Sequence, residues 1–413
     1  MIAALVCANA EAQPADPDTL DALTLADSVQ LDPADQDAQK SWRFFIEGMA
    51  GQINQRNGLD DIHPARISFD LNLDYRINQN WRAVLADRLD LNWQGRQDEQ
   101  INTLKEAYLS WQAQPDFILD AGRVNQRNGM AFGYNPSDYF KAGAVRSVVS
   151  IAPASLRENR LGSGMLRGQY LWAGGSLSAL LSPKPGDQRE TAPFALDFGA
   201  SNPANRWQIA LSQRWFDGFA PQFLLYGEEG REVQIGANLS WLASDALSTY
   251  LEYSGGRGPS LAAQAFKQNS DERFYSRLAS GATYTFPANL SMTLEYQYNQ
   301  AALDGDKWRA LASDPAAYWA YRAEAFEMQD NPTQHALFFL ASWNNALWNN
   351  FDVSWMLKRD LVDQSMQSWL EARYHFKSAD LALQWQYQAG DAGSQFGALP
   401  QKSSVQVLVK YYF

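Results

Sequence analysis

The chain has 413 residues, 46% hydrophobic and 13% aromatic, with 15 Trp, 18 Tyr, 21 Phe and a formal net charge of -12. That charge argues against a nucleic-acid partner, and no uninterrupted apolar run reaches the ~18 residues of a membrane-spanning helix. One cysteine, Cys7, leaves no internal disulfide and no multi-cysteine metal cluster.

Segment 1–12 reads as the apolar core of a signal peptide with a small-residue cleavage site at Ala10-Glu11-Ala12, though the basic n-region is missing. Acylation at Cys7 and an ordinary terminal strand or helix are the competing readings. Residues 13–40 carry Asp16, Asp18, Asp21, Asp27, Asp32, Asp35 and Asp37 with no base before Lys40. Such a stretch buries too little apolar surface to fold alone and reads as an acidic extension. It is either a disordered leader or a contact for a periplasmic partner, with a partial plug as a variant.

From Trp42 the chain becomes a series of alternating segments. Ile67, Phe69, Leu71, Leu73 and Tyr75 share one face, while Arg66, Ser68, Asp70, Asn72, Asp74 and Arg76 take the other. After a short polar turn at 78–80, Trp81, Ala83, Leu85, Leu89, Leu91 and Trp93 alternate with Arg82, Val84, Ala86, Arg88, Asp90 and Asn92. This period of two is the signature of a strand with one apolar face. Asp87 lands among the apolar residues, so a bulge or a local partner is expected there. The same pattern returns around 233–253, 290–298, 366–387 and 404–413.

Connections alternate in length. Short turns fall near 78–80, 114–116, 173–175, 243–245, 287–289, 344–346 and 377–380; long polar loops fall near 94–102, 126–159, 184–204, 255–271, 299–334 and 391–402. The glycine-rich pieces 173–175 and 254–258 read as turns. Trp81, Trp111, Trp172, Trp241, Trp343 and Tyr374 sit beside the short turns, where an interfacial girdle belongs. The expected fold is all-β: a transmembrane antiparallel β-barrel of about 18 strands over 41–413, with 16 the other even count, long extracellular loops and short periplasmic turns.

The complementary faces then line the lumen, with Arg66, Asp70, Asp74, Arg76, Arg82, Arg88, Asp90, Glu106 and Arg167 among them. Interleaved charge in a narrow pore selects among solutes; the alternative is a buried salt-bridge network that stiffens the wall. Loop 126–159 is the expected constriction, carrying Tyr134, Asn135, Asp138, Tyr139 and Arg146. Its Val145, Val148, Val149 and Ile151 suit an inward fold better than a solvated tip, with an outward loop packed on a neighbouring loop as the alternative. In loop 299–334, Ser313-Asp314-Pro315 marks a helix start. Asp304 and Asp306 are an incomplete calcium set. Three histidines, His63, His335 and His375, and no His-x-x-x-His or Gly-x-Ser-x-Gly motif give little support to an enzyme.

The chain ends with Val405, Val407, Val409, Tyr411 and Phe413 on one face. This ending resembles the C-terminal aromatic signature of Gram-negative outer-membrane β-barrels. The resemblance implies that Tyr411 and Phe413 form the signal read by the barrel assembly machinery. Gly122-Arg123 followed by Asn135-Pro136-Ser137-Asp138 also resembles a strand and inward loop of porin-like barrels. The reading is an outer-membrane channel, embedded in outer-membrane lipid, for passive diffusion of small hydrophilic solutes or for export, with no cofactor and no metal. A membrane-embedded hydrolase and a structural barrel holding a periplasmic partner through 13–40 are the alternatives.

Overall fold

The computed structural model describes residues 40–94, 97–186, 189–190, 192–268 and 272–413. The signal-peptide segment and residues 13–39 of the acidic extension lie outside the described residues.

Eighteen strands form one closed antiparallel sheet. The first wall comprises β1 (Trp42–Gln55), β2 (Pro64–Arg76), β3 (Trp81–Gln94) and β4 (Gln97–Gln114). A lower wall follows: β5 (Phe117–Val124), β6 (Ser163–Trp172), β7 (Gly175–Ser182), β8 (Arg206–Gln213) and β9 (Gln222–Glu228). Next come β10 (Gln234–Ser244), β11 (Leu247–Pro259), β12 (Glu272–Phe286), β13 (Leu290–Asn299) and β14 (His335–Trp343). The last are β15 (Phe351–Asp360), β16 (Met366–His375), β17 (Ala379–Ala389) and β18 (Gln401–Tyr412). β1 closes the sheet by pairing with β2 on one side and β18 on the other, Phe45 facing Tyr412 and Gly48 facing Val409. Closure leaves no open edge, which is the condition for a sheet in hydrocarbon.

The two faces separate as the alternation requires. Val405, Val407, Val409 and Tyr411 are exposed on the outside, while Ser404 and Leu408 of the same strand are buried inside. At the short turns Trp81 and Trp111 stack with ring centroids 5.8 Å apart. Among the described residues, no helix is long and apolar enough to cross a membrane.

The flaw at Asp87 resolves as a bulge. Ala86 pairs with Glu106 but Asp87 pairs with Leu104, so Lys105 is the extra residue and both Lys105 and Glu106 turn inward. Asp87 stays outside and accepts a 3.0 Å bond from Asn102 Nδ2. A bulge re-aims side chains in this way.

Three expectations about connections need correction. Residues 97–102 belong to β4, not to a loop; β3 and β4 continue past the apolar band, where both faces meet water and polar residues no longer distinguish strand from loop. Gly255, Gly256 and Gly258 lie within β11, not in a turn. Strict long–short alternation also fails, because the β9–β10 and β15–β16 connections, 229–233 and 361–365, are short although they lie at the long-loop end.

Among the described residues, five short helices sit in the long loops: α1 (Pro153–Glu158), α2 (Phe198–Ser201), α3 (Leu261–Ala265), α4 (Gly305–Leu311) and α5 (Pro315–Glu327). The predicted start of α5 is correct: Asp314 is its N-cap, accepting from the N–H groups of Ala316 and Ala317, with Pro315 in the first turn. Its Tyr318 and Tyr321 pack with Trp308 of α4 and Leu261 of α3 in one buried cluster. The Tyr318 hydroxyl donates to the Ser394 carbonyl at 2.9 Å, tying in loop 390–400.

Candidate solute pathway inside the barrel

The β5–β6 loop, 125–162, leaves its own strands and runs through the interior. Met130, Ala131 and Tyr134 are buried against Tyr250 and Ala279 of β11 and β12. Ile151 and Ala152 pack on Phe338, Leu340, Met356 and Trp369 of β14–β16. The Val149 carbonyl accepts from Arg66 of β2 at 3.2 Å. These contacts reach three separate parts of the wall, so the loop crosses the lumen.

Two buried carboxylates fix it. Glu252 of β11 accepts the N–H groups of Met130 at 3.0 Å, Ala131 at 3.1 Å and Ser137 at 2.9 Å, and the Ser137 hydroxyl at 2.9 Å. Glu295 of β13 accepts the N–H groups of Phe132 at 2.7 Å and Gly133 at 3.2 Å, with Tyr250 Oη and Gln297 Nε2 completing its shell. A Cβ at Gly133 would meet Phe338 Cγ at 2.5 Å, and Gly129 holds φ at +84° against Glu252, so these glycines permit the close approach. Charge-assisted bonds to backbone N–H groups are among the stronger hydrogen bonds.

The predicted constriction residues divide. Tyr134 is buried, with Lys141 Nζ 4.7 Å from its ring centroid. Asn135 Nδ2 donates to the Ala131 carbonyl at 2.6 Å. Asp138 is buried and paired with Arg160 at 2.8 Å. Tyr139 stacks on Tyr226 at 4.5 Å and bonds Ser254 at 3.1 Å. Arg146 faces elsewhere: its guanidinium donates to the carbonyls of Asn102, Ala192 and Ala195. Lys141 pairs with Asp330 at 3.0 Å, linking the inner loop to loop 300–334.

The charges of the first wall also divide. Arg66, Asp70, Arg88 and Asp90 are buried together. Glu47 receives Arg66 at 2.7 Å and Arg88 at 3.0 Å; Arg88 also bonds Asp90 at 2.9 Å, and Asp70 takes Lys105 at 2.8 Å. Three cations and three carboxylates therefore balance. Asp74 and Arg82 form a forked pair at 2.6 Å nearer the short turns, partly exposed, with Arg76 exposed opposite Arg82. Glu106 is half-buried opposite Ala86. Arg167 pairs with Asp120 at 2.8 Å and bonds Gln126 Oε1 at 3.0 Å.

Sequence reasoning placed Glu252 and Glu295 on the lumen face but did not single them out. Their partners are backbone N–H groups more than a hundred residues away, which leave no local pattern. Asp304 caps α4 by accepting the Lys307 N–H at 3.0 Å; that bond holds its carboxyl below the ordinary aspartate range. Asp306 pairs with Arg309. Among the described residues, no group of three metal-ligating side chains comes together. His375 has Asp380 2.9 Å from Nδ1 and Asp352 3.2 Å from Nε2, so both ring nitrogens face carboxylates and not a serine.

Neither a protein-family model nor a curated protein matches the chain. Solved structures match over nearly all of it. OccAB1 of Acinetobacter baumannii superposes with a TM-score of 0.57 at 9% identity, covering 90% of this chain and 96% of its own. OccK5 (OpdH) of Pseudomonas aeruginosa gives 0.54 at 12% identity, covering 90% and 98%. A BenF-like porin from Pseudomonas fluorescens gives 0.54 at 12%, with the same coverage. At such identities the likeness is one of fold. The molecule is a closed antiparallel β-barrel of 18 strands with the architecture of these porins.

Proposed function

We propose that the protein is a passive outer-membrane channel for small hydrophilic solutes, with loop 125–162 as its narrowest part. The observation that supports this most is the inward course of the loop through a polar, closed barrel, held by Glu252 and Glu295. Barrels of this strand number leave an aqueous passage unless plugged. Tyr134, Asn135, Asp138 and Tyr139 build the constriction, while Asp74, Arg76, Arg82 and Arg167 offer charge to the passage. Tyr411 and Phe413 serve recognition by the barrel assembly machinery, and a periplasmic partner, if one is held, binds through 13–40.

Purified protein in planar bilayers tests the reading. Discrete ion-conducting steps are expected, and excising 129–137 should raise the single-channel conductance. Unchanged conductance after the excision places the constriction elsewhere; the absence of any conducting step removes the channel reading.

A further inference from the structure

Between the inner loop and the wall formed by β1–β4 and β16–β18 lies a chamber of about 410 Å³. Its volume falls within the ~300–1,000 Å³ typical of small-molecule sites. Its lining is rich in amides: Asn92, Gln94, Gln384, Gln386, Gln401 and Gln406. Hydroxyls of Ser147, Ser150 and Ser404 join them.

The charges in this lining are spent. Arg66 is held by Glu47, Ser68 and the Val149 carbonyl. Arg146 is held by three backbone carbonyls. The remaining charged group of the lining is Glu99, an exposed carboxylate that repels anions. The side-chain amides of Asn92, Gln386 and Gln406 bond to none of the described residues, so both donor and acceptor are available on each. Val149 and Ile151 of the inner loop add apolar surface to the lining, and Met49, Ile53 and Trp369 lie beside the amides on neighbouring strands, Trp369 paired in register with Gln386.

We propose that this chamber is a binding site for an uncharged polyhydroxylated solute of mono- or disaccharide size. Amides pair with hydroxyls in either direction, and the apolar surface of the lining suits the C–H face of a sugar ring. A carboxylate solute finds no unspent cation here and one carboxylate against it. This rests on the channel reading only for how the solute arrives; the site itself is independent of conduction.

The test uses the full barrel with maltose and, as a charged sugar acid, gluconate. Calorimetric titration in detergent should show maltose binding and gluconate binding at least tenfold weaker. In bilayers, maltose should interrupt the ion current in a concentration-dependent way. Gln386→Ala with Gln406→Ala removes about two hydrogen bonds and should weaken maltose binding about tenfold; folding is checked by heat-modifiable migration on gels. Should that variant fail to fold, the wild-type comparison of maltose with gluconate still decides. Maltose binding without ion current keeps the site and removes the channel reading. Ion current with no maltose binding, gluconate binding as tightly as maltose, or a folded double variant that binds maltose like wild type overturns the site.

Discussion

Lumen charge has two different uses in this molecule, and burial separates them. Arg88 lies inside the balanced cluster with Glu47, Asp70 and Asp90. Arg88→Gln leaves buried carboxylates short of a partner, a change that costs about 3–5 kcal/mol in comparable sites. The variant should unfold at clearly lower temperature in a heat-modifiability series while the reversal potential in a salt gradient stays near wild type. Arg82 is the contrasting case, a partly exposed pair with Asp74. Such pairs contribute about 0–1 kcal/mol, so Arg82→Gln should leave the unfolding temperature nearly unchanged. It uncovers Asp74 beside the passage, and the reversal potential should move toward cations, less so at high salt. Glu252 gives a third outcome. Glu252→Gln turns one acceptor oxygen into a donor facing N–H groups, so loop 129–137 loses its fit. Noisier open-channel current and faster proteolysis of the loop should follow; quiet traces like wild type would mean that Glu295 alone holds it. The alternation in the sequence put Arg88 and Arg82 on the same face, but only the fold shows which of them is buried.

At the scale of elements, the period of two was enough to find the wall, because lipid and lumen impose opposite demands on successive residues. It ceased to inform where strands leave the apolar band, as at 97–102, and where glycines replace the alternating pattern, as at 255–258. The inward course of loop 125–162 was legible from Val145, Val148, Val149 and Ile151, although Val148 itself remains exposed. Its anchors were not, since a carboxylate that binds distant backbone looks like any other inward Glu. The α5 start was legible because Asp314-Pro315 is a local signal with a local partner. β18 makes a separate prediction. Phe413 N–H donates to the Phe44 carbonyl at 3.1 Å, and the two rings lie 5.3 Å apart, so this residue fastens β18 to β1 at the seam. Phe413→Asp should lower the yield of heat-resistant barrel in the outer membrane well below that of Lys402→Asp, at an exposed position at the other end of the same strand. Equal yields would leave the aromatic terminus without a part in assembly.

The barrel as a whole is lopsided. β1–β4 have 14, 13, 14 and 18 residues, whereas β7, β8 and β9 have 8, 8 and 7. A tilted strand needs about 9–11 residues to cross the apolar core, so the first wall exceeds that length and the strands β7–β9 fall short of it. The excess of β3 and β4 rises at the long-loop end, together with the helical cluster of α3, α4 and α5. At the opposite end the turns at 77–80, 115–116, 173–174 and 376–378 are tight and flanked by tryptophan and tyrosine. A chain inserted from the periplasm must carry one set of connections across the bilayer. The packed loops, with their buried Trp308, Tyr318 and Tyr321, form a covered vestibule suited to the cell exterior. The orientation is testable with one protease, because both ends offer an exposed lysine. Lys267 lies in the β11–β12 loop and Lys377 in the β16–β17 turn. Trypsin added to intact cells should cut after Lys267 and leave Lys377 intact; permeabilising the outer membrane should then open Lys377. Early cutting at Lys377 in intact cells, with Lys267 protected, would invert the barrel and place the vestibule and the inner loop's entrance on the periplasmic side.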